Sequence, residues 1–385
     1  MNYYEKSLFL ILILIIHFSC STKEQKSAHK GRQDITISKI NIDSFKIDAS
    51  NTSCMGRFFM DDTNIVFGDK LFASLYFYDL HGNLITRKLG KGRGPKEIPS
   101  DPFFFPIENN NHNYLAYDDN GILYKISKKT WEVKKIGKIN YFQGKNTNNP
   151  GPADISFYKT WGGQLVTSFK FLQIKDYLII YYIRDRDTQF DCYNPSTANK
   201  YYSSLKTFAF LNLENGVVER IVGGYPSSYN KNDSWRMFTS YTFTLNEDKL
   251  YVMHFPDSLI YAYGYPYNHP KNLLYVLGYK GKNMNKDYPI VTSKKEAHRK
   301  KVFKYGFYHT LKYIKETNLL FRGYNKGSHC NYDGLQVYKK NNLIGDIKVP
   351  KYFKVIGYNK PFYYAVKFRP DYQEQIFTIY KFKLN

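Results

Sequence analysis

The sequence predicts an all-β fold, a β-propeller, and three observations carry that reading. Tyr, Phe and Trp make up 18% of its 385 residues. Short apolar runs recur from about residue 34 onward, broken by Asp, Asn and Gly, which is the pattern of strands joined by tight turns. No run keeps a helical period long enough to found a helical core. The aromatic content also excludes intrinsic disorder for most of the chain. With 25 Gly and 15 Pro a collagenous repeat is excluded as well. A chain this long buries roughly three-quarters of its unfolded surface, so it is expected to fold without a metal or other cofactor.

The first element is a leader. Residues 8–16 read LFLILILII, nine apolar residues after Lys6. A membrane-spanning helix needs about 20 such residues, and shorter runs of this kind belong to signal peptides. The run ends at Ser19-Cys20-Ser21, which resembles a bacterial lipoprotein signal cleaved before the cysteine. The expected organisation is a signal over 1–19, then lipid on Cys20 with a polar tether over 20–34, then a single propeller domain over 35–385. Three cysteines remain in that domain, Cys54, Cys192 and Cys330. Their number allows one disulfide at most, their spacing fits no metal site, and buried thiols are the expectation.

Hairpins follow in order. Residues 71–89 give LFASLYFYD, LHGN and LITRKL, a strand–turn–strand in which Gly82 can take positive φ. The same plan repeats over 114–136, 208–222, 249–263, 309–324 and 361–384. Turn markers at Asp79, Asp119, Asn215, Asp257 and Asp333 lie 40, 96, 42 and 76 residues apart. A period near 40 with doubled gaps suits propeller blades of several strands each, and at about 42 residues per blade the count comes to about eight. Blades stack because one sheet cannot cover both of its own faces.

Residues 90–100, directly after the first hairpin, read GKGRGPKEIPS. Gly90, Gly92, Gly94, Pro95 and Glu97 resemble the G-x-G-x-GP-x-E signature of six-bladed, TolB-like β-propeller lipoproteins of Bacteroidetes. Ile98 stands where that family carries Phe or Tyr. The resemblance implies six blades of about 58 residues and a place in the cell envelope, with no assigned chemistry. Read from the residues alone, the glycines permit positive φ while Pro95 fixes φ near −65°. Lys91, Arg93 and Lys96 surround backbone amides that could hold an anion, although a loop that simply passes the chain between blades is the plainer expectation.

Enzymatic motifs do not appear. H-E-x-x-H and G-x-S-x-G are absent from the sequence, and the histidines His81, His112, His254, His269, His298, His309 and His329 stand singly. Arg184, Asp185, Arg186 and Asp187 read as a solvated turn. Asp61 and Asp62 lack the loop that would make them calcium ligands. Net charge is +23, yet an exported protein seldom meets nucleic acid, so membrane headgroups or anionic glycans are the available polyanions. The segment 293–304 concentrates charge in Lys294, Lys295, Arg299, Lys300, Lys301 and Lys304, expected as a solvated basic face. The functional expectation is a lipid-anchored, monomeric envelope module that binds a peptide, glycan or partner protein at its channel mouth. It would sit on the periplasmic side of the outer membrane. Convergent carboxylates or histidines in the channel would instead mark an enzyme of lyase or hydrolase type, and a purely structural envelope lipoprotein is the third reading.

Overall fold

Each of the hairpins read from the sequence pairs antiparallel in the computed structural model, and they belong to six blade sheets, four of four strands and two of five, the fifth strands being Gln33–Ile37 on one and Asn140–Tyr141 on the other. The structure describes residues 33–384 except 108–109, 119, 139, 142–170, 175–176, 182–191, 239, 248, 294–295, 297–299, 301–303 and 368–374. Blade 1 comprises Gly56–Asp61, Asn64–Asp69, Ser74–Tyr78 and Leu84–Lys88, paired in that order. Blade 2 runs from Pro102–Ile107 to Val133–Lys138, blade 3 from Phe171–Ile174 to Val217–Val222, and blade 4 from Tyr241–Asn246 to Leu273–Leu277. Blade 5 runs from Phe307–Ile314 to Asn342–Pro350. In every blade the first strand lies innermost, and the inner strands pack on one another between blades 1 and 2, 2 and 3, 4 and 5, 5 and 6, and 6 and 1. The fold is a six-bladed propeller.

The ring closes with strands from both parts of the chain. Blade 6 takes Phe353–Asn359, Phe362–Lys367 and Ile376–Phe382, and its outer strand is Ile42–Asp48, in register from Ile42 opposite Phe382 to Asp48 opposite Ile376. Ahead of it, Gln33–Ile37 runs parallel along the outer edge of blade 5. A sheet edge presents unpaired amides and carbonyls; here two of those edges are covered by the same stretch of chain.

Both faces of each sheet are buried against neighbours, which is why the strands read as continuous apolar runs rather than alternating ones. All five residues of Ser74–Tyr78 and all four of Ile260–Tyr263 are buried. Rings fill the wedge between twisted sheets. Phe67, Tyr76 and Phe377 lie between blades 6 and 1, and Phe77, Phe104 and Tyr114 between blades 1 and 2. Several buried tyrosines keep their hydroxyls bonded: Tyr76 donates to the Asn51 carbonyl at 2.7 Å and Tyr229 to that of Phe238 at 2.9 Å. Each such ring brings about 2–3 kcal/mol of burial without leaving an orphan hydroxyl.

Polar clamps fix the blades to one another. The fully buried Arg322 of blade 5 donates to the Ser258 carbonyl at 2.7 Å and the Tyr279 carbonyl at 2.6 Å, both from blade 4, and lies 4.1 Å over the Tyr308 ring. Gln336 accepts its Nε at 2.8 Å. Turns are held by their own carboxylates. Asp69 accepts the Phe72 amide at 3.0 Å, Asp118 the Asn120 and Ile122 amides at 2.9 and 2.8 Å, and Asp257 the Leu259 amide at 3.0 Å. Side-chain acceptors of this kind make Asp and Asn turn-formers. Gly82 has φ +95°, as its turn requires.

Two expectations are corrected, while the six blades that the family resemblance implied are present. Inner strands begin at Gly56, Pro102, Phe171, Tyr241, Phe307 and Phe353, so blades start 46, 69, 70, 66 and 46 residues apart; the count of about eight that the marker spacing gave is replaced by six. Short helices do occur, at Ala198–Ser204 and Ser228–Lys231, inserted around blades 3 and 4. None of Gly90, Gly92 and Gly94 lies in the left-handed region. A Cβ at Gly92 would sit 2.0 Å from Glu97 Oε2, so a side chain there would displace the Glu97 carboxylate.

A candidate ligand site at the channel mouth

The inner strands run toward one face of the ring and turn back there, and the hairpins they form surround the central channel. The cavity at that mouth measures about 900 Å³, within the range of small-ligand and peptide sites. Its aliphatic lining, the floor, comes from five inner strands: Met60, Ile107, Leu245, Ile314 and Ile356. Gly357 lets blade 6 pack closely on blade 1, since a Cβ there would meet Met60 Cγ at 2.4 Å. The rim is charged with both signs. Asp61 and Asp62 come from blade 1, His112 and Lys128 from blade 2, Glu247 from blade 4, and Lys312, Lys315 and Glu316 from blade 5. Tyr313 and Tyr358 are the rim's aromatic members.

Local backbone chemistry places these groups. Asp62 has φ +50° and Glu247 φ +53° at the tips of their inner hairpins, a conformation that costs ordinary residues about 1 kcal/mol. Asp61 is held hard: Lys128 forms an ion pair with one oxygen and the Tyr114 hydroxyl donates to the other. The Asp61 and Lys128 side chains are 15% and 18% exposed. The Lys128 ammonium also lies 4.6 Å from the Tyr114 ring centroid. Burial, with the Asp61 carboxylate beside it, drives the Tyr114 hydroxyl well above the ordinary tyrosine range. It therefore stays a neutral donor, and the cluster sews blade 1 to blade 2 at the lip of the channel.

The sequence singled out other places. The loop over 90–100 joins blade 1 to blade 2 on the face away from the mouth. It folds on itself: the Gly92 amide donates to the Ile98 carbonyl at 3.1 Å and the Gly94 amide to Glu97 Oε2 at 2.8 Å. Glu97 thus holds the position in which an anion was expected. Lys91 pairs with Asp101 at 2.6 Å, Arg93 and Lys96 are exposed, and the Pro95 carbonyl accepts the Val133 amide of blade 2 at 2.9 Å. Ile98 is fully buried among blade 1 and blade 2 residues. The loop is a connector between blades.

Of the basic segment, Lys300 and Lys304 are exposed in the connection between blades 4 and 5; Lys294, Lys295, Arg299 and Lys301 lie outside the described residues. So do Cys20, His298, Asp119 and the 184–187 turn. Cys54 and Cys192 are buried, Cys330 is half-buried, and no disulfide joins them among the described residues. Asp61 and Asp62 reach the mouth, yet no group of three or more His, Cys, Asp or Glu side chains suited to a metal forms among the described residues. His254 and His309 are wholly buried, and burial lowers both to about 3, so both rings are neutral. Lys286, beneath Trp235 and Tyr308, falls to about 8 through burial. Among the described residues no helix is long and apolar enough to cross a membrane.

No family model and no curated protein matches the chain. Solved structures do. One is a member of the DUF4221 family from Bacteroides vulgatus, with TM-score 0.60 and 13% identity over 90% of this chain and 98% of that one. Another, from Bacteroides fragilis and designated as exported, aligns with TM-score 0.49 and 11% identity over 92% of this chain and 98% of that one. The likeness is one of fold.

Proposed function

We propose that this protein is a lipid-anchored, monomeric module of the bacterial cell envelope, of the TolB-like lipoprotein type. In this reading its channel mouth binds a peptide segment of a partner protein. One observation carries the choice of ligand: an aliphatic floor under a rim charged with both signs. A glycan is gripped by rings stacked against its sugar faces. Here Tyr313 and Tyr358 stand on the rim, and the floor is built of Met60, Ile107, Leu245, Ile314 and Ile356. An apolar side chain fits that floor, while rim charges of both signs suit the amides and charged neighbours of a peptide. Binding sites commonly pair a buried apolar anchor with a polar surround that fixes orientation. The Asp61 carboxylate, with both oxygens engaged, orders the lip.

The test is calorimetric titration with two Gly-Ser hexapeptides flanked by Lys and Glu, one carrying a central Leu and one a central Ser. Burying the leucine is worth about 2 kcal/mol, so the Leu peptide should bind about thirtyfold more tightly, and Ile314→Asp should abolish the difference. Equal affinities would overturn the reading.

A further inference from the structure

The place where the folded ring meets its N-terminal segment bears on which way the mouth points. Gln33–Ile37 runs parallel to Asn342–Pro350, with Gln33 opposite Leu343. That outer strand of blade 5 starts at the face where the inner strand Phe307–Ile314 ends, because the blade's four strands alternate in direction. Ile314 is part of the mouth floor. Residue 33 therefore enters the ring on the mouth face. It lies four strand spacings from the inner strand, or about 19 Å.

We infer that the channel mouth faces the membrane that carries the N-terminal lipid, and that its ligand is a peptide presented close to that membrane. This rests on the lipid-anchored, peptide-binding reading above. Twelve residues, 21–32, separate Cys20 from Gln33. They can span at most about 40 Å. With the mouth face down, that length keeps the mouth within about 40 Å of the lipid. With the opposite face down, the nine-residue strand Asn342–Pro350 would have to fit below Gln33. Its height of about 30 Å, with the connections between blades beyond it, would take most of the available length. The short segment thus selects one face of the ring. A partner peptide next to its own lipid or membrane anchor would meet the mouth at high effective concentration, whereas a free peptide would not.

The experiment uses the lipidated full chain on vesicles. Azidophenylalanine replaces either Lys129, exposed in the turn of blade 2 on the mouth face, or Lys96, exposed on the opposite face of the same part of the ring. A donor dye is attached there, and energy transfer to acceptor-labelled headgroups is read. Transfer from Lys129 should exceed that from Lys96 at least twofold. Equal or reversed efficiencies overturn the orientation, and transfer from neither position overturns the anchor on which it depends. In the second arm the Leu hexapeptide is offered free or coupled to a lipid in the same vesicles. The coupled form should half-saturate the protein at no more than a tenth of the free concentration, and equal values overturn the membrane-proximal ligand. If neither peptide binds while Lys129 still reports the membrane, the peptide reading fails and the orientation stands.

Discussion

Residues at the blade seams bear the largest single costs, and two of them lend themselves to measurement. Asp61 accepts from Tyr114 and Lys128 at the lip of the channel. Asp61→Asn would leave a mostly buried ammonium without its counter-ion, and one partner lost from such a pair costs several kcal/mol in full burial. Partial exposure reduces this to about 1–3 kcal/mol. Thermal unfolding should show a lower midpoint, largely recovered when Lys128→Met is added. His254 offers a second case. Neither of its ring nitrogens has a hydrogen-bond partner, and Tyr225, Tyr229, Tyr241 and Tyr261 surround it. Its folded pKa of about 3 lies below the ordinary 6.5. The unfolded chain therefore takes up a proton below pH 6.5 that the folded chain refuses, and stability falls as pH drops from 6.5 toward 3. Between pH 7.5 and 5 this loss is about 2 kcal/mol. Urea titrations at the two pH values should show that His254→Phe loses about 2 kcal/mol less than the unaltered protein, a comparison in which the raised carboxyls of Asp257 and Asp333 cancel. A difference under about 0.5 kcal/mol would remove the buried histidine as the cause.

At the scale of elements, the sequence disclosed hairpins and concealed their phase. Asp79 and Asn215 mark the turns between third and fourth strands of blades 1 and 3, Asp257 follows the second strand of blade 4, and Asp333 opens the third strand of blade 5. Asp79, Asn215 and Asp257 accept amides of their own turns, as the marking supposed, whereas Asp333 lies within a strand and accepts the distant Tyr352 amide. The spacing thus mixed two kinds of turn with a strand position and could not yield a pitch. The mouth was illegible for the same reason: its floor residues lie up to 296 positions apart, from Met60 to Ile356, and converge only once the blades are in phase. A positive-φ Asp62 or Glu247 carries no sequence signal, because neither is Gly or Asn. Ring closure gives the prediction at this scale. A chain beginning at residue 40 keeps Ile42–Asp48 and its seven-residue register with Ile376–Phe382. It should fold with a modestly lower midpoint, having lost the Gln33–Ile37 edge. A chain beginning at residue 49 leaves blade 6 with three strands and exposes Phe377 and Ile379, both buried in the core against Ile47. Circular dichroism with urea should find it unfolded or strongly destabilised, and cooperative unfolding like that of the full chain would show that the closing strand is dispensable.

For the whole molecule, charge and anchorage must be separated, because either one could hold the protein at a membrane. A net charge of +23 attracts the chain to anionic headgroups, at up to about 1 kcal/mol for each Lys or Arg near the surface. That attraction is divided between the faces of the ring. Lys96 stands on one and Lys129, Lys312 and Lys315 on the other, so a flat membrane meets only part of it. It also decays within a Debye length, about 8 Å at physiological salt and 3 Å at 1 M. A covalent lipid contributes about 0.8 kcal/mol for each buried methylene whatever the salt. Expressed in its host envelope, the unaltered protein should stay in the membrane fraction through a 1 M salt wash. Cys20→Ala should appear in the soluble fraction, with any residue on the membrane released by that wash. Retention of Cys20→Ala at 1 M salt would require an attachment other than a lipid on that cysteine. Because charge alone fades within a few ångströms at that ionic strength, the attachment would have to be apolar, and the exposed Leu84 and Ile85 at the edge of blade 1 would be the first residues to replace.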